Sequence, residues 1–216
     1  APKTCEFGGA RRARISSQCL KRAVRTYFRE EAVIPSRQLS YRTRLLKDAL
    51  SGRLAARGVD AEAAAQLAAT VIEQLGLKLE KERTQYLLFL GEQEIDRLAA
   101  LALDHRDALL SGKKGDKELQ AQFLAALDGG EAVDLALFGR MIADKPEKNV
   151  DAAVQMAHAI STHAVSTEFD FYSAVDDLQR QDADEGAGAG MLGTTLYNSA
   201  CYYRYANVDF NQLVAN

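Results

Sequence analysis

Strand-like segments lie toward the two ends of this chain, and a long run of helical periodicity lies between them. Ser40 to Arg57 reads as one helix, stopped at Gly58. Asp60 to Leu75 reads as another, with Asp60 as its cap and Gly76 as its stop. Thr84 to Leu90 fits a strand or an inserted apolar turn. Glu92 to Leu110 is strongly amphipathic, and Asp116 to Leu127 predicts a further helix closed by Gly129-Gly130. On the N-terminal side, Cys5 to Arg14 reads as a glycine-hinged basic loop or strand end. Ser16 and Ser17 then cap a helix whose apolar residues Leu20, Val24, Tyr27 and Phe28 carry it to about Glu31, before Pro35. On the C-terminal side, Val133 to Phe138 is a β-like apolar run. Ala153 to Thr162 alternates in a manner that favours a strand, though its alanines would allow helix, Tyr172 to Gln179 fits a short helix, and Asp182 to Gly193 fits a loop or hairpin tip. Leu196 to Val208 is tyrosine-rich and β-prone. Strands flanking a helical insertion argue an α+β fold.

The charge is unevenly placed. The 216 residues carry 27 Lys and Arg against 30 Asp and Glu, a net charge of -3. From Ala1 to Arg29 there are eight basic residues against one acidic, net +7, which leaves -10 for the remainder. Such polarity suits one face for a polyanion on a body that repels it. Hydrophobic residues make up 47% and charged residues 26%, as in ordinary globular chains. No apolar run approaches the roughly 18 residues that a membrane helix needs, so no membrane partner is expected. A charged stretch rather than an apolar core follows Ala1, which is not a signal-peptide pattern. Cys5, Cys19 and Cys201 are widely spaced and odd in number. They read as reduced thiols of a cytoplasmic protein.

The segment from Phe7 to Ala23 is the most informative. A helix start preceded by glycines and serines offers unpaired N–H groups and the positive end of a dipole. Lys21 and Arg25 lie one turn apart and can reach successive phosphates, while Ser16 and Gln18 sit at the helix mouth. The plain alternative is a solvated basic face; phosphate binding is favoured over it. Met141, in Gly139-Arg140-Met141, could wedge against a nucleobase, although taken alone a core methionine is the commoner case. His158 and His163 are five apart, a spacing that suits structural histidines better than metal ligands. The tyrosines from Tyr197 to Tyr205 could stack bases, but tyrosines in a half-buried strand are commoner. Lys113, Lys114 and Lys117 mark a basic turn between helices. No Ser/His/Asp set, P-loop or paired CxxC is present, so neither a catalytic centre nor a cofactor is expected.

Several strings together resemble the CasC family, the backbone subunit of the type I-E CRISPR Cascade complex. They are Phe7-Gly-Gly, Arg12-Ala-Arg-Ile-Ser-Ser-Gln, Leu20-Lys-Arg-Ala, Gly139-Arg-Met, Ala157-His-Ala-Ile-Ser-Thr-His, Ala174-Val-Asp-Asp-Leu-Gln and Tyr203-Arg-Tyr-Ala-Asn. They follow the family's order over nearly the whole chain. The resemblance implies a right-hand architecture. Its palm is a modified RRM-like (ferredoxin-like) sheet built from residues 1–34, 154–164 and 201–216. Residues 35–153 would be helical fingers and residues 165–200 a hairpin thumb. The function implied is non-catalytic. Copies of the chain would polymerise along a guide RNA (crRNA) beside other Cascade subunits, and target DNA would pair with that guide.

The same resemblance assigns residues. Lys3, Arg12, Ser16, Gln18, Lys21 and Arg25 fall where the family contacts the guide backbone. Met141 falls at the displaced base, and Phe171, Tyr172, Ser173 and Leu192 fall on the thumb over the RNA. Lys113, Lys114 and Lys117 fall in the region that faces target DNA. No metal site is implied. The family's first strand and its Asn-Arg-Asp-Asp string would precede Ala1, and its palm continues past Asn216, so the fold is expected to be incomplete at both ends. Two rival readings come from the residues. One is a metal-dependent nuclease using Asp176 and Asp177, which adjacent positions on a helix disfavour. The other is a helical protein-interaction scaffold, which the N-terminal charge disfavours.

Overall fold

A computed structural model describes residues 2–111, 117–129, 131–174 and 191–216. It is a mixed α+β chain with antiparallel sheets. It begins with β1 (Lys3–Phe7) and β2 (Ala10–Ile15), a hairpin in register from Lys3 opposite Arg14 to Phe7 opposite Ala10. Gly8 and Gly9 turn it at φ +61° and +71°, the pair of positive values that a two-residue type I′ turn requires. Ser16 then caps α1 (Ser17–Glu30), its Oγ accepting from the Cys19 N–H at 3.3 Å.

The segment expected as one helix from Ser40 to Arg57 divides into β3 (Ser40–Thr43) and α2 (Leu46–Ala55). Tertiary bonds override local propensity there: β3 pairs with a later strand, and the Ser40 N–H and hydroxyl both donate to Asp134. α3 (Ala61–Gln74) starts where Asp60 accepts from the Ala63 N–H at 2.9 Å, and Gly76 follows it at φ +71°. The short hairpin of β4 (Leu79–Glu80) and β5 (Arg83–Thr84) leads to β6 (Leu88–Gly91), the partner of β3. The expected helix from Glu92 to Leu110 is two, α4 (Glu92–Asp104) and α5 (Arg106–Leu110), interrupted at His105. α6 (Lys117–Ala125) follows.

Val133 to Phe138, expected as β-like, is instead the helix α7 (Val133–Phe138). The run is apolar at both periods, and burial chose the helical one, placing Asp134, Leu135 and Phe138 inside. Beyond it, the segment expected to favour one strand divides into β7 (Val154–Met156) and β8 (Ala159–Ser161), which lie in different sheets. β9 (Glu168–Ala174) and β10 (Met191–Tyr197) then form a hairpin ladder of seven pairs. The helix expected from Tyr172 is therefore a strand as far as Ala174; residues 175–179 lie outside the described residues. The chain ends with β11 (Tyr202–Tyr203), β12 (Ala206–Val208), which pairs with β7, and α8 (Phe210–Ala215).

Two compact units result. Residues 1–22 and 156–206 form one, and residues 23–155 and 207–216 the other. The first holds a four-stranded sheet in the order β1-β2-β8-β11. The second holds the main core, in which Leu46, Leu50 and Leu54 of α2 meet Leu67, Val71 and Ile72 of α3, Ile95 and Leu98 of α4, and Phe123 of α6. Each such side chain contributes about 1.5–3 kcal/mol by leaving water. Among the described residues no helix is long and apolar enough to cross a membrane.

Candidate nucleic-acid interface

Residues directly opposite in an antiparallel pair share a face of the sheet. In the first unit this rule sorts the side chains cleanly. Ala13, Ala159 and Ser161 turn to the buried face, at 0%, 2% and 2% exposure. The Ser161 hydroxyl accepts from the Ala13 N–H at 3.1 Å and donates to the His163 carbonyl at 2.6 Å. The other face carries Lys3, Arg12, Arg14, Ile160 and Tyr203, with Phe7 at the hairpin end. Phe7 and Tyr203 are well exposed. The first face is packed around Ala13, Ala159 and Ser161 but carries exposed Glu6 and Arg11 toward the hairpin turn, and the second is basic and aromatic, with Arg12 and Arg14 half-buried.

Lys3 and Arg14 stand directly opposite each other on β1 and β2. Like charges in that position destabilise a ladder. Both line a groove of about 250 Å³ together with Ser16, Cys19, Asn198 and Tyr202. Arg14 is half-buried, and its Nε–H is out of solvent without a hydrogen-bond partner. Ser16, expected from sequence at the mouth of the helix, lines this groove. Arg14 was not singled out by motif, although its alternation with Arg12 on a strand was the available signal. Arg12 is tied into the sheet, its Nε donating to the Phe7 carbonyl at 2.9 Å and its NH1 to the Ser161 carbonyl at 3.0 Å. Gln18 lies on the first turn of α1, and Lys21 is partly exposed.

Arg25 differs from the expectation of a phosphate contact. Its Nε donates to Asp134 Oδ2 at 3.1 Å, and the Asp134 side chain is 2% exposed. The guanidinium carbon sits 4.6 Å from the Phe89 ring centre and 4.9 Å from that of Phe138. Burial lowers the Arg25 pKa, and the Asp134 carboxylate works against that shift. Arg25 is a fastener in this structure, and Arg42 is the more open cation of its surroundings. Arg42 is exposed, lies 5.4 Å from the Phe89 ring and lines a groove of about 630 Å³ with Phe138 and Met141. Met141 is 77% exposed, which overturns the core alternative for it. Tyr86 lines the same groove and donates to Asp144 at 3.0 Å; burial and that carboxylate raise its pKa.

On the β9–β10 hairpin, Phe171, Tyr172, Ser173 and Leu192 are all exposed. They do not share a face. The pairs Phe171 with Thr194 and Ser173 with Leu192 define one side, joined by Phe169 with Leu196. Tyr172 is on the other side, its ring over Gly193, where a Cβ would lie 2.4 Å from it. Phe169, 74% exposed, was not singled out from sequence, though its two-residue spacing from Phe171 was visible.

His163 uses both ring nitrogens, Nδ1 at 3.0 Å from the Ala164 carbonyl and Nε2 accepting from the Cys201 N–H at 3.3 Å. His158 departs from the expectation of a satisfied histidine, because its Nδ1 is buried without a partner. Lys117 is exposed at the start of α6. Lys113, Lys114, Asp176 and Asp177 lie outside the described residues. Among the described residues no group of three or more His, Cys, Asp or Glu could hold a metal.

Solved structures similar to the chain include two from CRISPR complexes. One, titled "CRISPR RNA-guided surveillance complex, pre-nicking", is 34% identical with a TM-score of 0.84, and the match covers 100% of this chain and 60% of that one. The other, titled "CRISPR RNA-guided surveillance complex", is 32% identical with a TM-score of 0.69 and covers 100% and 59%. The chain therefore spans about three-fifths of the length of these relatives. No curated protein matches it. The family described as CT1975-like protein matches residues 1–216, and with the sheet, hairpin and helices in place, the chain belongs to this CasC-type family of CRISPR proteins.

Proposed function

We propose that the chain is a non-catalytic, guide-RNA-binding backbone subunit of a multi-subunit CRISPR surveillance complex of the type I-E Cascade kind. Several copies line the guide RNA, next to other subunits, and the held guide pairs with target DNA. The observation that carries this reading is the open sheet face, where Lys3 stands opposite Arg14. A phosphate backbone along this face relieves the like-charge pair. Phe7 and Tyr203 on the same face offer π surfaces, as RRM-like sheets do for unstacked bases. In the family's terms this sheet is the palm, the helices of residues 35–153 are the fingers, and the β9–β10 hairpin belongs to the thumb. Met141 contacts the displaced base, and the exposed face of Phe171, Ser173 and Leu192 lies against RNA.

The test is binding of the full-length protein to a fluorescent single-stranded RNA of guide length across a salt series. The reading expects tight binding that is indifferent to sequence, falls steeply with salt and places several copies on each RNA. Weak binding with a flat salt response would sink it. Incubation of the same RNA with Mg²⁺ or Mn²⁺ should leave it intact; cleavage abolished by Asp177→Ala would support a nuclease instead.

A further inference from the structure

Met141 projects from a segment that is fastened on both sides. Its neighbour Arg140 has a side chain wholly out of solvent, and Ile142 is 1% exposed. The Arg140 NH1 donates to both oxygens of Glu94 at 2.8 Å, and Nε and NH2 donate to the Lys148 carbonyl at 3.2 and 3.0 Å. Glu94 is held in turn by the Gly129 and Gly91 N–H groups, at 2.8 and 2.7 Å. The Arg140 backbone exchanges two bonds of 2.9 Å with Val150. On the far side, Asn149 Oδ1 accepts from the Ile142 N–H at 2.7 Å.

A buried ion pair is weak evidence for stability, since apolar residues of similar volume often serve as well. Here the pair has a directional consequence. Successive side chains of extended backbone point to opposite sides, so turning Arg140 and Ile142 inward turns Met141 outward. An unbranched, polarizable side chain adapts well to an aromatic surface. On an untethered loop, contact would also cost backbone freedom. In this segment folding has already met that cost.

We propose that Arg140 and Asn149 are positioning residues that preset Met141 as a contact for an unstacked nucleobase. The inference rests on the reading of Met141 given under the proposed function. It is tested on the full-length protein bound to guide-length RNA carrying a fluorescent base analogue, scanned to find the position that responds to Met141→Ala. Asn149→Ala should keep RNA affinity, lose much of the analogue signal, and sharpen the Met141 line, one of three methionine signals from this chain, in methyl-labelled protein. Asn149→Asp retains the acceptor and should restore both signals, which a general loss of stability would not do. The pair Arg140→Ala with Glu94→Gln, which removes the inward side chain and leaves no unpaired buried carboxylate, should act like Asn149→Ala. It gives a second route if that variant folds poorly. Wild-type analogue signal and line width in either folded variant would overturn the positioning role while the base contact stood. No response to Met141→Ala at any position would overturn the base contact and this inference with it.

Discussion

Three arginines near the N-terminus have different surroundings. Arg12 is bonded to two carbonyls, Arg25 is closed in by Asp134 and two rings, and Arg14 keeps a buried N–H without a partner. They should separate in experiment. Arg14→Ala is expected to leave the urea midpoint nearly unchanged and to reduce the slope of log affinity against log salt by about one. An unchanged slope would remove Arg14 from the phosphate contacts. Arg25→Ala should instead destabilise the chain by about 2–4 kcal/mol, because it strips a buried carboxylate of its cation. The two hydrogen bonds from Ser40 keep the cost from being higher. Chemical denaturation measures this directly. A loss of RNA affinity without a loss of stability would return Arg25 to the contact surface. The sequence placed Lys21 and Arg25 one turn apart, but not the partner of Arg25, since Asp134 is 109 residues away.

Among the elements, the β9–β10 hairpin and α7 show what local patterns leave open. The hairpin exposes Phe169, Phe171 and Leu192 on one side, more apolar surface than a two-stranded ribbon keeps in water without a partner. Phe171→Ala should therefore leave stability within about 0.5 kcal/mol, because nothing packed is lost, and should weaken RNA binding. Equal RNA binding by the variant would take this face away from the nucleic acid. The opposite behaviour is expected at Gly139, after α7. It has φ +75°, and a Cβ there would meet the Val150 carbonyl at 2.8 Å. Gly139→Ala should cost more than about 1 kcal/mol, read as a lower melting temperature. The run from Val133 to Phe138 is apolar at both periods, so only its burial against other elements selects helix.

For the whole molecule, stability and function draw on different residues. The core of the second unit is built of apolar side chains such as Leu50, Leu98 and Phe123, whereas the charged strands β1 and β2 belong to the first unit. Leu98→Ala should cost about 2–5 kcal/mol through the cavity it leaves. At temperatures where the variant stays folded, its salt-dependent RNA binding should match that of the parent chain. A changed salt slope in that variant would mean that core packing and the basic face are coupled.

Local chemistry made much of this legible in the sequence. Capping by Ser16 and Asp60, the glycine hinge at Gly8-Gly9 and the alternation around Ile160 act over a few residues, so α1 and α3 could be read directly and a strand at Ile160 was favoured, while the pairing of β1 with β2 and the division into β7 and β8 came from the structure. The concentration of positive charge before Arg29 was legible too, but not its disposition: Arg25 is closed off by Asp134, and Arg11 lies on the face opposite to Lys3 and Arg14. What required the tertiary structure were the pairings between distant residues. Ser40 became a strand because β6 and Asp134 met it, Arg25 was closed off by the same carboxylate, and Met141 was turned outward by the burial of Arg140 against Glu94. Sequence patterns report the preferences of neighbours along the chain, whereas burial and ion pairing are set by which segments come together in space.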